Sequence, residues 1–352
     1  MQKVSSKKFL SGLAAAGRKR RQPHFITFEL SYGCNLTCAH CFNPTHKAGP
    51  RELALPEIFR VLEESAAFGV FDVCFTGGEP FARRDFFAIL AKAKSLGLSV
   101  SINSNGTLID GDIARRLREI GILKIYLSLY GSTKEVYEAV TGIAGSHARF
   151  LAGLDALLAE EIPLTLQMPI MKLNRANAAA ARAFAQAREL EFLTSVDIYA
   201  RQDGDPSPLR QRLSAEEKLE LLRELGSVAS PDPSACARDG ASFIDCDCGK
   251  VQFAITPYGE MNLCTIFPTP KYDLKNGSVR EGWEVLKKTV DEARPNANYE
   301  CPSCDLRSHC RQSRADAWQE KGDMSACLPH YKDLARLEKE ENALAGLSRD
   351  IR

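Results

Sequence analysis

Strand-like and helix-like segments alternate from Phe25 to Tyr199, and this alternation restricts the fold more than any other feature of the chain. Phe25–Leu30 reads as a first strand and Pro56–Phe68 as a helix. Asp72–Phe75 is a short buried strand, and Asp85–Leu96 a helix with Asp85 as N-cap and Gly97 as its stop. Strand Leu98–Ile102, helix Asp112–Ile120, strand Leu123–Leu129 and a helix near Arg149–Glu160 follow. Strand Leu164–Met168, helix Asn174–Leu190 and strand Leu193–Tyr199 close the series. Six strands, each but the last followed by a helix, imply a parallel sheet with right-handed crossovers. Six are too few to close an eight-stranded barrel. The expected class is therefore α/β, an open (β/α)6 partial TIM barrel with its chemistry at the C-terminal ends of the strands.

The loop after the first strand carries Cys34, Cys38 and Cys41 in the run Cys34-Asn35-Leu36-Thr37-Cys38-Ala39-His40-Cys41. A cubane iron–sulfur cluster takes four ligands, so three thiolates from one loop leave one iron open. Zinc prefers paired Cys-x-x-Cys knuckles, and a disulfide between residues this close is strained. The second strand leads into Gly77-Gly78-Glu79-Pro80, whose glycines let backbone approach a ligand.

This pair of motifs resembles the radical S-adenosylmethionine (radical SAM) enzymes. The resemblance implies a 4Fe-4S cluster on the three cysteines, with the methionine end of SAM on the open iron. Reductive cleavage of SAM would then give a 5′-deoxyadenosyl radical. By the same resemblance Gly77, Gly78 and Glu79 bind the methionine amino group, and Ser104, Asn105 and Ser128 make further cofactor contacts at the ends of strands three and four. His40 stands where relatives often carry an aromatic residue, and is expected to pack there. Cys74, in Val73-Cys74-Phe75, reads as an inert core residue.

Beyond the barrel, Gln202–Pro208 looks like an exit loop and Ser214–Leu225 like an amphipathic helix with a Ser214/Glu217 capping box. Ser230–Ser234 reads as a linker, after which cysteine density rises. The pattern Cys248…Gly259…Cys264, then Cys301-Pro302-Ser303-Cys304, Cys310 and Cys327 resembles the SPASM extension, an α+β unit carrying auxiliary 4Fe-4S clusters. That resemblance implies one complete auxiliary cluster on Cys301, Cys304, Cys310 and Cys327. A second site would keep Cys248 and Cys264, with Cys246 or Cys236 as recruits. Ser313 and Arg314 stand where its further cysteine is expected, so an open iron, serine ligation and a lost cluster all remain open, as does a zinc ribbon of Cys248, Cys264, Cys301 and Cys304. The expected divisions are a basic N-terminal arm at 1–24, the barrel at 25–205 and a helical linker at 206–235. The auxiliary domain would span 236–330, with a charged helix at 331–352.

Forty-six basic residues against 45 acidic ones argue against a general nucleic-acid or membrane-surface binder. The local basic excess, Lys3, Lys7, Lys8 and Arg18-Lys19-Arg20-Arg21, reads as a solvated arm. Residues 9–16 are too short and too weakly apolar for a signal or a membrane span. Clustered cysteines in such a chain point to metal in a reducing compartment, hence a cytoplasmic location.

Segments 128–146 and 203–208 look most like the peptide-maturase branch of the resembled enzymes, and Thr265 departs from the catalytic aspartate of the sulfatase-maturing group. The expected activity is hydrogen abstraction from a residue of a ribosomally made precursor peptide, with electrons supplied by a flavodoxin- or ferredoxin-type reductant. No leader-binding domain is expected before the barrel, so leader recognition, where needed, is expected from a separate partner protein or from the basic arm. Oxidation or rearrangement of a small metabolite is the alternative, and a non-catalytic electron carrier a further one. Asp203, Asp205 and Asp245 read as solvated loop residues.

Overall fold

The computed structural model describes residues 15–226 and 242–349, together with Gly12. Lys3, Lys7, Lys8, the 230–234 linker and Cys236 lie outside the described residues.

Six parallel strands form the frame: β1 (Phe25–Glu29), β2 (Asp72–Thr76), β3 (Ser99–Ser104), β4 (Lys124–Ser128), β5 (Leu164–Pro169) and β6 (Glu191–Ser195). Helices α1 (Leu55–Ala67), α2 (Phe86–Ser95), α3 (Gly111–Ile120), α4 (Lys134–Thr141), α5 (Ser146–Ala159) and α6 (Ala178–Gln186) connect them. Strand alternation sorts the two faces. Ile26 and Phe28 of β1, Val73 and Phe75 of β2, and Ile125 and Leu127 of β4 are buried in one continuous core. Each such large side chain contributes roughly 1.5–3 kcal/mol through burial.

The opposite face carries Thr27, Glu29, Cys74, Asn103, Tyr126 and Gln167. Cys74 therefore does not belong to the core as its apolar neighbours suggested. It is half-buried on the inner face, outside the core cluster, because Val73 and Phe75 take the core positions on either side.

The sheet does not stop at six strands. Its order is β6-β5-β4-β3-β2-β1-β7-β8-β9, where β7 (Gln252–Ile255) pairs in parallel with β1, and β8 (Glu260–Asn262) and β9 (Tyr272–Asp273) follow antiparallel. The cysteine-rich region thus begins as a direct continuation of the barrel sheet. Helix α8 (Val279–Glu292) covers this extension, with Trp283 buried against Phe253 and its indole N–H donating to the Arg21 carbonyl at 2.9 Å. Arg18 and Arg21, read as part of a solvated arm, pair with Asp247 and Asp291.

Helix α7 (Ala215–Glu224) opens with the expected capping box, Ser214 accepting from the Glu217 N–H and Glu217 from the Ser214 N–H. It packs on the last helix, α10 (Pro329–Arg349), through Leu219 and Leu334. A shorter helix, α9 (Arg314–Lys321), precedes it. No described helix is long and apolar enough to cross a membrane.

Three local expectations need correction. Asp85 sits at the cap of α2 without capping it, because its carboxylate binds Arg83, which also donates to the carbonyls of Leu30 and Leu53. Helix α4 was not anticipated. The sixth strand ends at Ser195, four residues short of Tyr199.

Candidate functional site

The three cysteines of the first loop lie where β1 ends, and the loop is held by its neighbours rather than by itself. Thr37 N–H donates to the Thr141 carbonyl at 3.0 Å and Ala39 N–H to the Val140 carbonyl at 2.9 Å. These acceptors are carbonyls that the last turn of α4 leaves unpaired. On the other flank Glu52 accepts from Ser31 Oγ and from the Tyr32 and Gly49 N–H groups, while Asn43 donates to the Tyr32 carbonyl.

Two donors converge on Cys34 Sγ, the Leu36 N–H at 3.5 Å and the Asn105 amide at 3.8 Å. Burial pushes the Cys34 thiol up to about 11 and drives Cys38 and Cys41 upward too. Water alone would leave these three sulfurs protonated. Donors aimed at a buried sulfur fit a thiolate held by metal. His40 is half-buried beside the Tyr130 ring at 5.4 Å, and desolvation lowers it to about 4, so it packs as a neutral ring.

The Gly77-Gly78-Glu79 turn lies directly on this loop. Gly78 N–H donates to the Ser31 carbonyl at 2.7 Å and Glu79 N–H to the Gly33 carbonyl at 2.9 Å. A Cβ on Gly77 would stand 2.4 Å from the Ser31 oxygen, and one on Gly78 2.2 Å from the Gly33 oxygen. Gly77 also has φ +126°. What these glycines approach is the backbone of the cysteine loop.

Glu79, 1% exposed, accepts from the Asn105 N–H (2.7 Å), Ser104 Oγ (2.9 Å) and the Phe81 N–H (3.1 Å). Burial raises it to about 7 despite these donors. Asn105 in turn donates to Asn35 of the cysteine loop at 3.0 Å. Ser128 lies one strand further on, at the end of β4. The structure thus joins Cys34, Glu79, Ser104 and Asn105 in one polar network, with Ser128 outside it.

The C-terminal cysteines form two adjoining groups. Cys246 interacts with Cys248, and Cys248 with Cys264. The contact with Cys248 is the main cause pushing Cys246 up. At Cys248 the Cys246 contact pulls downward, yet Cys264 and burial prevail and hold it at about 12. Cys301, Cys304, Cys310 and Cys327 line a cavity of about 340 Å³, which Cys246 and Asp245 also line. The four residues of the zinc-ribbon alternative are therefore split between the groups.

Among the described residues no three His, Cys, Asp or Glu side chains converge tightly enough for a single metal ion. Thiols spaced around a cavity suit a polynuclear cluster, which holds its ligands further apart. Ser313 caps α9 by accepting from the Asp316 N–H, so its hydroxyl is already engaged. Arg314 is buried over the rings of Phe243 and Tyr299. Asp203 and Asp205 hold their own loop, Asp203 accepting from the Asp205 N–H and Asp205 from Ser207.

Sequence reasoning passed over Glu29, which ends β1 at 2% exposure, raised by burial to about 8 and touched by Gln202. Strict alternation along Phe25–Glu29 would have placed it on the inner face. Glu52 and Asn43 were also missed, since nothing local marks a loop residue that folds back on the chain.

Comparison with known proteins identifies the family. The pattern of the Radical SAM superfamily matches residues 28–185. An AdoMet-dependent heme synthase of Methanosarcina barkeri is 32% identical, over 86% of this chain and 94% of its own length. Mycofactocin maturase MftC of Mycobacterium ulcerans is 36% identical over 82% of each. Streptococcus suis SuiB, in its crystal structure bound to S-adenosylmethionine, shares the fold with a TM-score of 0.68 at 16% identity, covering 93% of this chain and 83% of that one. The chain belongs to the radical SAM superfamily, whose enzymes use S-adenosylmethionine and a 4Fe-4S cluster.

Proposed function

We propose that Cys34, Cys38 and Cys41 hold the SAM-binding 4Fe-4S cluster and that Gly77, Gly78, Glu79, Ser104, Asn105 and Ser128 form the SAM site around it. The convergence of Cys34, Glu79 and Asn105 in one buried network supports this. Cys301, Cys304, Cys310 and Cys327 are the proposed ligands of an auxiliary cluster, and the cavity they share supports that set. When bound, the first cluster and SAM supply a 5′-deoxyadenosyl radical. The chain's own part is to hold, orient and shield. The glycine turn fixes the loop, Glu79 presents a carboxylate beside it, and the Asn105 amide and Leu36 N–H stabilise negative charge on Cys34.

The proposed substrate is a residue of a ribosomally made precursor peptide, from which the radical takes a hydrogen atom. The observation that carries this is the 36% identity to a maturase across 82% of both chains. SuiB, the structural neighbour, has also been crystallised with its precursor peptide SuiA. A reductant of flavodoxin or ferredoxin type, a separate leader-binding protein and a cytoplasmic location complete the proposal.

The likeness to a heme synthase over 94% of its length favours a second reading, oxidation of a small heme precursor. One anaerobic experiment separates the two. The enzyme, SAM and a reductant are incubated with the short peptides encoded beside the gene or with heme precursors, and products are read by mass spectrometry. The peptide reading predicts that one peptide stimulates deoxyadenosine formation and changes mass, or gains solvent deuterium. Turnover of a heme precursor with every peptide unchanged would overturn it.

A further inference from the structure

Arg314 is a buried cation of the auxiliary cavity. It is 9% exposed. Its guanidinium donates to the Met324 carbonyl at 3.2 Å and lies over the rings of Tyr299 and Phe243, 5.1 and 5.5 Å from their centroids. The other Nη points at Cys301 Sγ, 3.8 Å away. Among the described residues it forms no ion pair. Of the other cations lining the cavity, Arg311 pairs with Glu338 and Lys332 with Glu300.

A buried charge without a counter-charge is strongly unfavourable, so natural proteins pair such groups. Four neutral thiols do not balance a guanidinium. Four thiolates around a 4Fe-4S cluster do, because the assembly is a net anion that gains one further negative charge on reduction.

We infer that Arg314 is a positioning residue for the auxiliary cluster, hydrogen-bonding the Cys301 sulfur and holding the cluster's reduction potential up. Hydrogen bonds to cluster sulfurs and nearby charge are the protein's levers on such potentials. A fixed cation favours the more negative, reduced state. The inference rests on the proposed ligand set Cys301, Cys304, Cys310 and Cys327. It also gives position 314 a use of its own, as a charge beside the cluster in place of a ligand to it.

The test uses the full chain carrying Cys34→Ala, Cys38→Ala and Cys41→Ala, so that only the C-terminal cluster reports. Its potential is measured by anaerobic redox titration followed by electron paramagnetic resonance, and its iron by chemical analysis. Arg314→Gln should keep the iron and lower the potential by about 59 mV, a tenfold change in the oxidised-to-reduced ratio for one electron. Arg314→Lys should stay close to the parent. Arg314→Met, which preserves packing on the two rings, should repeat the Gln result if the Gln variant does not fold.

An unchanged potential with iron intact, or equal shifts in the Lys and Gln variants, would overturn the role of Arg314 alone. Loss of iron from all three replacements would assign the residue to packing and overturn it equally. Absence of iron from the parent itself would overturn the ligand set and the inference together.

Discussion

The two cysteine regions are built in opposite ways. Cys34, Cys38 and Cys41 come from one loop of eight residues, yet almost every bond that shapes this loop arrives from elsewhere: α4, the Gly77–Glu79 turn, Asn105, Glu52. The C-terminal thiols are spread from Cys246 to Cys327 and are gathered by the fold itself, as β7 joins the barrel sheet and α9 and α10 close over the cavity. Local ligands with distant support make a site whose composition is fixed but whose shape depends on the barrel. Distant ligands make a site that exists only once the chain has folded.

The largest test of this contrast removes one region at a time. Replacing Cys34, Cys38 and Cys41 together by Ala should abolish deoxyadenosine formation while C-terminal iron remains; parallel loss of both would show that the regions assemble as one unit. Cys310→Ala should do the reverse, removing the C-terminal cluster signal and leaving SAM cleavage measurable, and a chain that loses the barrel cluster as well would break the comparison.

Gly78→Ala addresses the distant support. Its Cβ has 2.2 Å to the Gly33 oxygen, so the cysteine loop must shift. Overpacking of this kind costs about 1–3 kcal/mol. Thermal denaturation should show that loss together with weaker SAM binding. A variant with parental stability and affinity would mean that the turn does not shape the loop.

The smallest expected effect concerns the seam between the regions. His330 on α10 lies 3.7 Å from Glu320 and beside Arg212, and burial holds its pKa down at about 4 against 6.5 when free. The unfolded chain therefore binds the extra proton first. The contribution of His330 to stability is fully present above pH 6.5 and is lost as pH falls toward 4. Denaturant titrations between pH 7 and 4.5 should show this loss, and His330→Gln should flatten it; an identical slope in the variant would remove His330 from the seam.

The alternation of strands and helices carried the barrel, because amphipathic periodicity is local and survives in the sequence. Cys34, Cys38 and Cys41 were legible for the same reason. Helix α4 was not, since its eight residues, Lys134–Thr141, alternate too briefly to stand out, although Thr133 caps it. The place of β7 was not legible either. Pairing Phe25 with Gln252 is a contact between segments more than two hundred residues apart, and no periodicity encodes it. Cys74 misled because its neighbours are apolar, while in a strand every second residue faces the other way. Glu79 was found as a motif residue, but its three backbone and hydroxyl donors come from a turn and a strand that only the fold brings together.

The most direct measurement is a quantitative anaerobic cleavage assay on the reconstituted wild-type chain, with SAM and dithionite as the only reactants, read by chromatography. The account predicts 5′-deoxyadenosine and methionine in equal amounts, both absent without reductant. SAM bound but returned intact from a fully reduced, iron-loaded protein would contradict it.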